Sequence, residues 1–226
     1  LHDSNLYCNR KLVNFRETIW GCSHPARPVN FGKSERRSVQ EWLMKHVNGR
    51  ADLFWQYKGS FTLSSPIAIG NALKDVNLLF FEEPVGQVDE RAMARVTRSI
   101  PRPVAAGERL ESKWEFRRLL ELEAASILQP DLAHCNGFGE AYKIAALADS
   151  FSAFMAPHCP MSPVLAVISA HLDAAVPNFL IQERLLLNDW RNDIITEPLV
   201  VKDGYIDLPT KPGWGIELNE ELCGKH

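Results

Sequence analysis

Asn77-Leu78-Leu79-Phe80-Phe81-Glu82-Glu83-Pro84 decides how the rest of the chain is read. Four apolar residues in a row, with no alternation, suit a parallel strand covered on both faces. Two carboxylates follow at once, where a buried strand interior would not hold them. The same pattern recurs on either side. Apolar runs lie at Asp52-Leu53-Phe54-Trp55, Pro103-Val104-Ala105-Ala106, Ala125-Ser126-Ile127-Leu128, Ala153-Phe154-Met155-Ala156 and Asn178-Phe179-Leu180-Ile181. Between them helical periodicity predicts helices near 64–74, 88–98, 112–122, 138–149 and 163–174.

Each run ends on a polar or charged residue: Gln56, Glu82, Glu108, Asp131, His158 and Glu183, separated by 26, 26, 23, 27 and 25 residues. That interval is about one strand-plus-helix unit. Polar groups at the carboxyl ends of successive parallel strands are the layout of a (β/α) barrel mouth. An open doubly wound sheet gathers its active groups at one switch in strand order and would not converge six strand ends. The expected fold class is therefore α/β, a TIM-type (β/α) barrel.

Composition agrees with an ordinary globular chain. Of 226 residues, 46% are hydrophobic and 23% charged, with a formal charge of -3. This balance provides no basic field for nucleic acid or an acidic membrane surface, and no apolar run approaches the ~18–20 residues of a membrane span. Five scattered cysteines without a CxxC pair fit neither a disulfide framework nor a zinc ribbon, so a reducing, cytoplasmic setting is expected. The N-terminus lacks a secretory signal pattern and opens with Leu1, as a fragment or processed product would. No GxSxG elbow or phosphate-gripping glycine loop supports a hydrolase or nucleotide site.

The strand-end residues suggest chemistry. Glu82, Glu83 and Glu108 would crowd like charges together, which a cation or protons must compensate; hard oxygen ligands with room for substrate suit Mg2+. The plainer alternative pairs these carboxylates with bases such as Arg109. His158 follows Asp131 by one strand, and an Asp accepting the Nδ1 proton would fix the tautomer and raise the basicity of Nε2. His134 competes for the same Asp131. Glu183, kept protonated, would donate a hydrogen bond to a developing oxyanion; as a surface residue it needs no explanation.

Phe81-Glu82-Glu83-Pro84, Gly107-Glu108-Arg109-Leu110, Gln129-Pro130-Asp131-Leu132, Ala156-Pro157-His158-Cys159-Pro160 and Ile181-Gln182-Glu183 occur in order. Together they resemble the enolase superfamily of the mandelate racemase/muconate lactonizing type, and within it the galactonate dehydratase-like sugar-acid dehydratases. The stretch Leu208-Pro209-Thr210-Lys211-Pro212-Gly213-Trp214-Gly215-Ile216-Glu217 is similar to that group's C-terminal end. The likeness covers about residues 36–222. It implies a lyase with Mg2+ held by Glu82 and Glu108, His158 as base oriented by Asp131, and Glu183 as hydrogen-bond donor. It implies as substrate a sugar (aldonic) acid such as galactonate, converted to a 2-keto-3-deoxy acid by proton loss next to the carboxylate and departure of the neighbouring hydroxyl.

Two departures stand out. The register puts Gln56 where that group has a third metal ligand, an Asp, and Lys58 where it has an acidic His. A neutral amide oxygen weakens a Mg2+ site, and Lys58 is a poor acid unless burial lowers its pKa from about 10.4. Either the site is retuned or it is a remnant, in which case the chain is a non-catalytic homologue serving as a binding or subunit-contact module. Residues 1–35 are also too few for the capping domain and two first strands that the resemblance implies. The expected organisation is an unassigned segment at 1–35, a barrel portion at 36–190 that opens with an amphipathic helix at 38–47, and an extension at 191–226 packing on a capping domain. A hairpin around Asp203-Gly204 falls within that extension. Open barrel edges favour a homo-oligomer.

Overall fold

The computed structural model describes residues 13–14, 53–56, 64–75, 78–86, 89–160, 162–183, 190–202 and 205–225. In chain order the elements begin with β1 (Val13–Asn14), β2 (Leu53–Gln56), α1 (Ser64–Ala72), β3 (Leu78–Glu82), α2 (Glu90–Ser99) and β4 (Val104–Ala106). They continue with α3 (Lys113–Glu121), β5 (Ile127–Leu128), α4 (Phe138–Ser150), β6 (Phe154–Met155), α5 (Pro163–Ala175), a 3-10 turn (Trp190–Ile194), β7 (Val201–Lys202), β8 (Tyr205–Ile206) and α6 (Glu220–Cys223).

Strands β2 to β6 form one sheet, all parallel and neighbouring in chain order. Helix follows strand throughout, the βαβ arrangement of a barrel wall. Three of these helices start where the sequence supplies a cap. Asp89 accepts the Ala92 N–H at 2.8 Å to open α2. The Ser112 N–H donates to Glu115 at 2.9 Å to open α3, and Ser162 accepts from Val164 at 3.2 Å ahead of Pro163 to open α5.

The expected strand at 178–181 joins the sheet by a single bridge, Phe179 to Met155. The Asn178 carbonyl accepts the Met155 N–H at 2.8 Å and the Leu180 N–H donates to the Met155 carbonyl at 2.8 Å, while the Asn178 side-chain amide donates to the Ala145 and Ala153 carbonyls at 3.1 and 2.9 Å. The two sheet faces carry different cores. Phe81, Val104, Ala106, Leu128 and Met155 pack in the main core with α2 to α5. Phe80, Ala105, Ile127 and Ala156 form a small cluster of their own on the other, inner face. Side chains alternate along a strand, so beyond three of these four inner apolar positions, two residues on, lies a polar one: Glu82 after Phe80, Gln129 after Ile127, His158 after Ala156.

The C-terminal region packs back on the helices. Ile195, Leu199 and Ile206 are buried in the main core. Trp214 lies against Phe138 and His171, with ring centroids 5.3 and 5.6 Å apart, and His171 Nε2 donates to the Trp214 carbonyl at 3.1 Å. Strands β7 and β8 pair antiparallel as the expected hairpin arms, and β1 pairs antiparallel with β8. The predicted helix at 38–47 lies outside the described residues. Among the described residues no helix is long and apolar enough to cross a membrane.

Candidate functional site

The row of strand ends is continuous. Gln56 pairs in register with Glu82, Glu82 with Ala105, and Asp131 bridges His158 in parallel. Glu108 breaks the alternation, and Gly107 allows it. Gly107 has φ +124, a conformation side chains avoid, and a Cβ there would meet Phe116 Cε1 at 2.4 Å. The Gly107 N–H donates to Glu83 Oε1 at 2.8 Å. Glu83, itself at φ 41, thus braces the β3 and β4 ends, whereas Glu82 and Glu108 face the mouth.

His158 lies at the centre. Its Nδ1 is 2.8 Å from Asp131 Oδ2, while Asp131 Oδ1 accepts the Ala133 N–H at 2.7 Å. Its Nε2 is 3.4 Å from Glu108 Oε2 and 3.8 Å from Glu183 Oε2. Glu183 is held by the Cys159 N–H at 2.9 Å. Geometry also settles the competition for Asp131: His134 Nδ1 turns instead to the Glu108 carbonyl, at 3.1 Å. Arg109 does reach Glu108, with Nε 3.2 Å from Oε1, so this carboxylate serves a rim ion pair and the mouth at once.

The electrostatics follow from crowding. Burial, then Glu183 and Glu108, push the Glu82 carboxyl up to about 8, against a hydrogen bond from Gln129 and the nearby His158 that favour its charge. Burial likewise raises Glu183, opposed by His158 and the Cys159 N–H. At His158 burial disfavours the imidazolium, yet the Asp131 hydrogen bond and the Glu183 and Glu108 carboxylates outweigh it and raise the pKa. At Asp131 burial works upward, and the hydrogen bonds from His158 and Ala133 override it and hold the carboxyl low.

Five of the seven site residues expected from the sequence, Glu82, Glu108, Asp131, His158 and Glu183, thus meet in one buried mouth. Lys58 lies outside the described residues. Gln56 is described as backbone, in register beside Glu82. Among the described residues no group of three or more His, Cys, Asp and Glu side chains is arranged to hold a metal ion. Glu82 and Glu108, two of the carboxylates in the mouth, are hard oxygen donors, the ligand type of Mg2+. Sequence reasoning passed over Gln129, although its spacing of two from Asp131 put it on the same face.

Residues 32–222 match the family described as enolase C-terminal domain-like. A D-galactonate dehydratase of Ralstonia nicotianae is 36% identical over 172 residues, 71% of this chain and 44% of that protein. A D-xylonate dehydratase of Haloferax volcanii is 33% identical over 189 residues, 83% and 46% of the two chains. The crystal structure of a mandelate racemase/muconate lactonizing enzyme from Sulfitobacter sp. superposes with a TM-score of 0.80 at 38% identity, covering 85% of this chain and 48% of that one. The chain spans about half the length of the curated relatives it matches. On its barrel sheet, its ordered motifs and this match, the chain belongs to the enolase superfamily, through the enolase C-terminal domain-like family.

Proposed function

We propose that this chain carries the proton-abstracting half of a sugar-acid dehydratase, acting on an aldonic acid such as galactonate and yielding a 2-keto-3-deoxy acid. The observation that carries the proposal is the His158–Asp131 contact at 2.8 Å, placed beside Glu108 and Glu183 in one mouth. Asp131 accepts the Nδ1 proton and so leaves the Nε2 lone pair as the base. His158 takes the proton next to the substrate carboxylate, and the imidazolium that forms is stabilised by Asp131. Glu183, raised toward its neutral form, donates a hydrogen bond to the oxygen on which charge develops. Glu82 and Glu108 would hold Mg2+, with the Gln56 amide as a third candidate donor. The ion, when bound, supplies positive charge for the substrate carboxylate and the developing enolate. Lys58, by its place in the sequence, is the candidate donor to the departing hydroxyl.

The test is to incubate the purified chain with Mg2+ and a panel of aldonic acids and assay 2-keto-3-deoxy products. Turnover that disappears in His158→Asn is the expected result; equal signals from both proteins would sink the proposal. Gln56 and Lys58, standing where related dehydratases have an Asp ligand and an acidic His, favour a second reading, a non-catalytic homologue acting as a binding or subunit-contact module. That reading predicts no Mg2+ affinity and no gain from Gln56→Asp combined with Lys58→His, whereas the dehydratase proposal predicts that the pair of changes tightens Mg2+ and raises turnover.

A further inference from the structure

Beside β6 the ladder runs from the Met155 N–H to the Asn178 carbonyl and from the Leu180 N–H to the Met155 carbonyl, both at 2.8 Å. The next rung would start from the N–H of residue 157, which is a proline and has none. Past it, the Glu183 N–H reaches the Pro157 carbonyl only at 3.4 Å. The Gln182 side chain closes this gap. Its Nε2 donates to the Pro157 carbonyl at 2.9 Å and to the Glu183 carbonyl at 2.8 Å. Gln182 is 1% exposed, and its Oε1 is buried without a hydrogen bond. A bare buried carbonyl is destabilising, so the amide is useful here for its N–H end. Two carbonyls as acceptors also fix which end of the amide faces them.

The residue on the other side of His158 is tied to the same segment, since the Cys159 N–H donates to Glu183 Oε2 at 2.9 Å. His158 thus sits between two fastenings, Pro157 to Gln182 and Cys159 to Glu183, with its Nε2 3.8 Å from Glu183 Oε2. We propose that Gln182 is a positioning residue that sets the distance between His158 and Glu183 by clamping together the two segments that carry them. The value of that distance for turnover rests on the function proposed above; the clamp itself does not.

NMR on the full chain reads the clamp directly. In the parent, the two Gln182 side-chain amide protons should give separate signals that exchange slowly with solvent; rapid exchange would overturn the proposal. Gln182→Met keeps the length and loses both donors. In it the Cys159 amide proton should move upfield, toward its position in Glu183→Ala, and exchange roughly ten-fold faster. The Ala156 N–H, bonded to the Leu128 carbonyl at 2.9 Å on the other side of β6, should stay as it is. An unmoved Cys159 signal would sink the clamp, and so would equal changes at Cys159 and Ala156, which mean general loosening. With an aldonic acid that the parent turns over, kcat should fall in Gln182→Met while KM stays near the parent's, and an equal kcat would count against the proposal as decisively. A change confined to Cys159 in a parent without turnover would uphold the clamp and remove the proposed function. Should Gln182→Met not fold, exchange of the Gln182 amide protons in the parent decides.

Discussion

His158 and Asp131 are joined twice, through the 2.8 Å contact of their side chains and through a parallel backbone bridge at their strand ends. The backbone bridge sets the distance, and the carboxylate sets which nitrogen carries the proton. A dyad built in this way tolerates little change in the ring's orientation, because the strand ends cannot shift without disturbing the sheet.

Replacing Asp131 by Asn keeps the shape but removes the charge that favours a proton on Nδ1. Proton abstraction should fall roughly 100- to 10,000-fold, with an unfolding midpoint near that of the parent. Exchange of the substrate's proton next to its carboxylate, followed by NMR in D2O, measures this. Undiminished exchange would mean that Asp131 does not orient the base.

Asp173 in α5 is fully buried, neither of its carboxyl oxygens has a hydrogen bond, and burial raises its pKa well above 3.8. The unfolded chain then loses this proton at lower pH than the folded one. Stability should decline by up to about 1.4 kcal/mol per pH unit from pH 3.8 upward, until the folded group ionises. Asp173→Asn should be the more stable protein at pH 7 and lack that decline. Urea midpoints across pH 4 to 8 would decide, and parallel curves for the two proteins would rule the account out.

Gly107 has no space for a side chain, since Phe116 occupies it. Gly107→Ala combines an unfavourable φ with a clash against a fully buried ring and should cost about 2–4 kcal/mol. Denaturant unfolding reads this directly. Because the same turn aims Glu108 inward, activity should fall further than the loss of folded protein alone explains.

Glu140 ties α4 to the start of α3, accepting from the Lys113 N–H at 3.2 Å and Lys113 Nζ at 3.1 Å, and from Lys143 Nζ at 3.2 Å. These donors lower its carboxyl from 4.5 to about 2. A depressed carboxylate stabilises the folded state above the unfolded pKa and loses that contribution as pH falls through the folded one. The advantage of the parent over Glu140→Gln should be complete above pH 4.5 and vanish toward pH 2, as thermal midpoints over that range would record.

Much of the architecture was readable in the sequence because unalternating runs such as Leu78–Phe81 have few alternatives once helical segments separate them. The even spacing of Glu82, Glu108, Asp131, His158 and Glu183 marked the strand ends for the same reason. The strand expected at 178–181 runs beside β6, where the Asn178 carbonyl accepts from Met155 and the Leu180 N–H donates back to Met155, but the paired stretch is short. From the residues alone Glu82 and Glu83 stood together, and only the family resemblance singled out Glu82. One faces the mouth and the other braces Gly107, a difference set by the positive φ of Glu83 and the register with β4. Gln129 went unremarked because a buried amide matters through its neighbour, and neighbours across strands are not written in spacing.

The small antiparallel sheet joins Val13 to Ile206. During synthesis this pairing must wait until Ile206 has left the ribosome, long after Val13, whereas each strand–helix unit of the barrel wall can settle as it emerges. The join between the two distant segments should therefore form after the strand–helix units between them, with its partners exposed to other nascent chains in the meantime.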